Sequence, residues 1–164
     1  MDNSYNDLRE AVAKLCAEFP GSYWRGLDRD MTYPQAFIDA LTAAGWLSVL
    51  IPEEYGGAGL PLSAAAAILE EMQMQGCNSG ACHAQMYTMG TLLRHGSDDQ
   101  KQTYLPKIAS GELRLQAFGV TEPTSGTDTG ALKTTAVLEC DEYVINGQKI
   151  WTSRAEHSDL MMLL

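Results

Sequence analysis

The chain has 164 residues, enough for one ordinary domain or for one domain and part of a second. With 45% hydrophobic and 20% charged residues it is too apolar for a disordered chain, and no apolar run reaches the length of a membrane-spanning helix. A net charge of −10, with Lys and Arg scattered singly, excludes the clustered cations that a nucleic-acid partner requires.

The opening residues Met1, Asp2 and Asn3 lack the charged and apolar blocks of a signal peptide, which reads as a cytoplasmic protein. Leu8, Val12, Leu15 and Phe19 mark one face of a first helix. Thr32 and Gln35 fit a capping box for a second helix carrying Phe37, Ile38, Leu41 and Ala44, with Gly45 placed to end it. Residues 51–59 (IPEEYGGAG) are loop-like. Ser63 opens a helix through Ile68, Leu69 and Met72 that breaks at Gly76. Another runs from about Ser79 to His95, ahead of Gly96. Both are apolar over most of their circumference, as central, doubly covered helices are. Ser97 and Gln100 form a second capping box, and the helix they start is expected to end or kink around Pro106. The sum is a bundle of about five helices.

Near residue 112 the pattern changes from helical periodicity to short β-rich runs. Residues 113–120 (LRLQAFGV) read as a strand, followed by the loop 121–130 (TEPTSGTDTG). A strand over 134–140, a turn at Asp141 and Glu142, and a strand over 143–145 come next. Asn146-Gly147 is the strongest short hairpin signal, with a strand expected over 148–153. Residues 159–164 begin a further apolar strand. The organisation is thus α+β: a helical domain over 1–112, then the first strands of an antiparallel β-domain over 113–164, with the sheet unfinished.

Two segments can carry chemistry. The loop 121–130 offers hydroxyls, and Gly126 lets backbone approach a ligand closely, which suits a neutral, hydrogen-bonding edge such as a flavin ring. Taken alone it reads better as a polar surface loop. Trp151 beside Thr152 and Ser153 can pack on an aromatic cofactor, or simply fill the sheet core. The four cysteines (Cys16, Cys77, Cys82, Cys140) have no zinc spacing and read as buried thiols, with no metal site. Met72, Met74, Met86 and Met89 read as fillers of core gaps, and the Glu53-Glu54 and Glu70-Glu71 pairs as solvated faces with occasional ion pairs. No GxGxxG, P-loop or GxSxG motif is present, so dinucleotide, nucleoside triphosphate and hydrolase chemistry have no motif support.

In order, residues 47–59 (LSVLIPEEYGGAG), 96–111 (GSDDQKQTYLPKIASG), 118–128 (FGVTEPTSGTD) and 143–153 (YVINGQKIWTS) resemble the acyl-CoA dehydrogenase family, and the resemblance runs from about residue 30 to the end. It implies an N-terminal helical domain, a middle β-domain only begun here, and a C-terminal four-helix domain that this chain lacks. It implies FAD, with Phe118, Val120 and Thr121 lining the isoalloxazine ring, Gly126 and Thr127 at the flavin and the acyl-CoA ligand, and Trp151, Thr152 and Ser153 at the flavin edge. Thr152 stands where the family usually has an apolar Ile, and Arg154 where it has Asn.

The implied reaction is α,β-dehydrogenation of an acyl-CoA thioester, with α-proton removal and hydride transfer to flavin N5, as in fatty acid metabolism. The base is expected to be a Glu of the missing C-terminal domain, so the resemblance assigns no catalytic residue here, and neither Glu122 nor another Glu takes that role. The chain alone is expected to be inactive. An electron-transfer flavoprotein or similar acceptor and a homotetramer are implied as partners. Acyl-CoA oxidases and flavin monooxygenases share this scaffold, and a non-catalytic assembly subunit lacking the base is the reading from another class.

Overall fold

The structure, a computed structural model, describes residues 5–164. Six α-helices come first: α1 (Asn6–Cys16), α2 (Gly21–Asp30), α3 (Gln35–Ala43), α4 (Leu62–Met74), α5 (Gly80–His95) and α6 (Asp98–Ser110). Four strands follow: β1 (Leu115–Gly119), β2 (Thr135–Glu139), β3 (Glu142–Asn146) and β4 (Leu160–Leu163). The helix-rich part and the few strands match the expected α+β class.

One core gathers Val12 and Cys16 of α1, Phe37, Ile38 and Leu41 of α3, Ile68 and Met72 of α4, and Cys82 and Met86 of α5. A second joins Ile51, Met89, Leu105, Ile108 and Leu115, where α5 and α6 meet β1. Met72, Met86 and Met89 fill these cores as expected, but Met74 is 57% exposed. Cys16, Cys77 and Cys82 are buried, whereas Cys140 lies exposed at a turn.

Helix α2 is the element that periodicity does not show. Its sequence (GSYWRGLDRD) has two glycines and four charged residues, and none of its side chains is fully buried. Tyr23 and Trp24 instead join Phe19 and Phe37 in edge-to-face contacts, with centroids 4.9 to 5.1 Å apart.

Helix ends follow local chemistry. The Thr32–Gln35 box does not form: Pro34 is the N-cap of α3, and Gln35 donates to Asp39 at 2.6 Å. Gly45 (φ +77) ends α3 as expected, with Trp46 N–H donating to Leu41 O and Gly45 N–H to Thr42 O, both 2.9 Å. Gly76 (φ +77) repeats the arrangement after α4, with Cys77 N–H donating to Met72 O at 2.9 Å. Ser97 and Gln100 make both arms of their capping box. Helix α6 does not stop at Pro106 but continues to Ser110, because Leu105 and Ile108 on either side of the proline are anchored in the second core. Glu71 departs from the expected solvated face: it is 7% exposed, accepts from Gln75 at 2.8 Å, and lies 3.8 Å from Arg9.

The strands form two pairs. β2 and β3 are antiparallel, joined at Cys140 and Asp141, and every residue of both is exposed. β1 and β4 run parallel, a pairing the hairpin pattern did not suggest. Asn146-Gly147 is not a hairpin turn, since Asn146 pairs with Thr135 at the end of the ribbon, and 148–153 is not a strand. Gly147 answers a different need: a Cβ there would fall 2.2 Å from Thr134 Oγ1.

Candidate functional site

The parallel pairing of β1 with β4 fixes where the two chemistry-bearing segments meet. β1 lies on α5, where Thr88 Oγ1 donates to Leu115 O. Buried Gln116 accepts from Tyr33 Oη at 2.7 Å and donates to Gln85 Oε1 at 3.2 Å, while Gln85 donates to Leu47 O. This chain of amides ties the strand to α5 and to the loop after α3. The C-terminal end of β1 then delivers Val120, Thr121 and Glu122 to a second set of anchors.

Glu122 is their centre. Its carboxylate accepts from Lys133 N–H at 2.7 Å, Thr134 N–H at 2.8 Å, Thr134 Oγ1 at 2.5 Å and Lys149 Nζ at 2.9 Å. The Glu122 and Lys149 side chains are only 3% and 8% exposed. The Thr134 hydroxyl first, then the Lys133 amide and Lys149, hold the Glu122 carboxyl down at about 2. It stays ionised and fully engaged. Lys149 Nζ also donates to Val120 O at 3.0 Å, and Ile150 N–H donates to Thr121 O at 2.8 Å. These contacts clasp the segment around Trp151 to the end of β1.

The sequence-predicted residues fall into three groups. Val120 and Thr121 are half-buried and lie against the 149–150 segment, and Gly126 folds back until its Cβ position is 3.7 Å from Thr121 Cγ2. Phe118 is half-buried and turns toward α5, its ring 5.9 Å from that of Tyr87. Trp151 does not fill a sheet core: it is 84% exposed and held at φ 60, a left-handed conformation unusual for a bulky residue. Thr152 is half-buried next to it, and Ser153 and Thr127 are exposed. Hydrogen bonds bring Val120 and Thr121 to the segment before Trp151, with Gly126 beside Thr121, whereas among the described residues no hydrogen bond joins Thr127 or Ser153 to them.

The polar groups here are uncharged hydroxyls and amides, and the same segments carry two aromatic side chains, Phe118 and Trp151. That chemistry fits a flat, neutral, hydrogen-bonding ring such as isoalloxazine. A cavity of about 670 Å³ opens elsewhere, between α2 and the α4–α5 turn, beside Trp24, Met31, Gln73 and Cys77, and none of the predicted residues lines it. Sequence reasoning missed the clasp itself. Its signal was present in the opposite charges of Glu122 and Lys149, which fall within the TEPxxGxD and NGxKxW blocks.

Comparison with known proteins bears on the same segments. The family model described as "Acyl-CoA dehydrogenase, N-terminal domain" matches residues 2–112, and that described as "Acyl-CoA dehydrogenase, middle domain" matches residues 117–164. The chain is 37% identical over 166 residues to a (2S)-methylsuccinyl-CoA dehydrogenase of Cereibacter sphaeroides, covering 100% of this chain and 30% of that protein. It is 36% identical over 133 residues to the human mitochondrial short-chain specific acyl-CoA dehydrogenase, covering 79% and 32%. An acyl-CoA dehydrogenase structure from Geobacillus kaustophilus superposes with a TM-score of 0.87 at 26% identity, covering 99% of this chain and 43% of that one. The chain thus spans less than half the length of these relatives.

Proposed function

Because the chain belongs to the acyl-CoA dehydrogenase family, we propose that the protein carrying it is a FAD-dependent dehydrogenase of acyl-CoA thioesters. In this reading residues 1–112 are the helical domain and 113–164 the start of the β-domain, a division supported by the change of family model between 112 and 117. The observation that carries the reading is the Glu122–Lys149 clasp, which sets the TEPxxGxD loop beside the Trp151 segment.

FAD, when bound, supplies the acceptor for the β-hydrogen. Phe118, Val120 and Thr121 would hold the ring from the end of β1, and Trp151, Thr152 and Ser153 from the segment clasped to it. Gly126 and Thr127 present backbone and a hydroxyl to ring and thioester. Trp151, 84% exposed at φ 60, would have its indole free to cover one face of a bound ring. In this reading the α-proton goes to a residue outside this chain: of the two carboxylates in the loop, Glu122 is bound on every side and Asp128 is exposed. The base would belong to a C-terminal helical domain outside these residues, and an electron-transfer flavoprotein would be the electron acceptor.

Among the relatives one is named for a methylsuccinyl thioester, which bears a second carboxyl group, and another for short-chain thioesters. Side chains of this protein must therefore decide between them. The test is spectroscopic. The whole protein is loaded with FAD and desalted, and acyl-CoA is added without oxygen. Retained flavin that bleaches supports the reading, and an unreactive or absent flavin sinks it. Rapid reoxidation of the bleached flavin by oxygen would point to an acyl-CoA oxidase instead.

A further inference from the structure

A line of exposed side chains leads along α5 away from Phe118. The Phe118 ring faces Tyr87, and Tyr87 meets His83 in an edge contact with centroids 5.1 Å apart. Both Tyr87 and His83 are exposed. Gly80 lies one turn before His83 on the same face. From residue 87 back to 80 the helix rises by roughly 10 Å.

Arg154 closes the far end of this line. A Cβ placed on Gly80 would fall 2.6 Å from Arg154 Nη2, so the guanidinium rests on the space that the missing side chain leaves. The backbone of Arg154 is well held, at φ 61, with its carbonyl accepting from His157 N–H at 3.0 Å. His157 in turn stacks on Tyr33 at 4.3 Å. Unlike Arg114 and Lys149, Arg154 pairs with no carboxylate among the described residues. In a chain of net charge −10, a cation held at this place with no acid beside it is open to an external anion.

We propose that Arg154 selects acyl groups that end in a carboxylate, with the acyl chain lying over Tyr87 and His83 between Phe118 and the guanidinium. The inference rests on the reading that Phe118 and Trp151 border a flavin. A terminal carboxylate gains charge-assisted, bidentate hydrogen bonds from the guanidinium fork. A plain alkyl end covering the same group strips it of water and offers nothing in return, so the residue rejects as well as attracts.

The test uses the whole FAD-loaded protein and thioesters matched in carbon number: succinyl-, glutaryl- and adipyl-CoA against butyryl-, pentanoyl- and hexanoyl-CoA. Calorimetric binding and anaerobic flavin bleaching are read separately. The expected result is at least one carboxylate-ended thioester bound about tenfold more tightly than its plain partner. Arg154→Ala removes that preference and leaves the plain thioesters within about twofold, and Arg154→Lys retains part of it. Should Arg154→Ala not fold, Gly80→Ala displaces the guanidinium and gives the same loss. Equal binding of all matched pairs by the wild type, or equal weakening of both kinds in the variants, overturns the proposal. Selective binding without bleaching leaves the Arg154 site standing and defeats the dehydrogenase reading. Bleaching without selectivity does the reverse.

Discussion

Glu122 and Lys149 bring opposite charges to a place where water scarcely reaches, and each depends on the other to stay there. Glu122→Gln leaves Lys149 with a neutral partner and gives up the charge-assisted bonds to Lys133 and Thr134. The melting temperature of the protein should fall, and FAD should dissociate about tenfold more readily, because the clasp orients the residues that border it. Scanning fluorimetry and flavin retention after desalting check both. The pH dependence has a definite sign. Folding lowers the Glu122 carboxyl from 4.5 to about 2, so its contribution is complete above 4.5 and is lost as pH falls toward 2. Between those values the wild type should lose stability more steeply than Glu122→Gln, and coincident acid-unfolding curves would contradict this.

The thiols make a second test. Burial first, then the neighbouring Cys77, pushes the Cys16 thiol up to about 12, and burial does the same to Cys82. Cys77 is also buried, so alkylation of the native protein should label one of the four cysteines, Cys140, and Cys140→Ser should abolish native labelling. Mass spectrometry before and after denaturation reads the result.

At the scale of elements, sequence and structure agree where a local signal decides the outcome. The Ser97–Gln100 box and the helix-ending glycines 45 and 76 were legible because the interactions lie within a few residues of each other. Ser97→Ala should cost about 1 kcal/mol, measured by denaturant unfolding. Gly111 is the costlier glycine. It has φ +80, and a Cβ there would meet Thr42 Cγ2 at 2.3 Å, so Gly111→Ala adds a clash with α3 to roughly 1–2 kcal/mol of backbone strain. The misreadings arose where distant contacts outweighed local pattern. Helix α2 is held by aromatic rings from other segments rather than by an apolar stripe. Asn146-Gly147 has the sequence of a tight turn but serves to let the chain pass close to Thr134. For the site, the two chemistry-bearing blocks were visible in the sequence. The role of Glu122 in joining them is not visible there, since spacing along a chain does not reveal a contact across it.

Across the whole molecule, order is unevenly distributed. The helices and β1 enclose two apolar cores, while the β2–β3 ribbon exposes Val137, Leu138, Tyr143 and Ile145 and buries none of its residues. Two strands without a packed face are marginal in water. Amide hydrogen exchange should therefore be fast in β2 and β3 and slowest in α5, whose Ala81, Met86, Thr88 and Met89 are buried. Comparable protection in ribbon and helix would show that something covers the ribbon in solution.

The parallel pair β1–β4 also sets a timetable for assembly. Leu115 pairs with Leu160, 45 positions later in the chain. The helices can collapse from contacts made largely among themselves, but this pairing must close a long loop before it returns any stability. The β2–β3 hairpin forms inside that loop and shortens it. During synthesis, at about 5–20 residues per second, β1 leaves the ribosome seconds before its partner does. For that interval α5 covers one face of the strand while its edge stays open, so α5 shields β1 until β4 arrives.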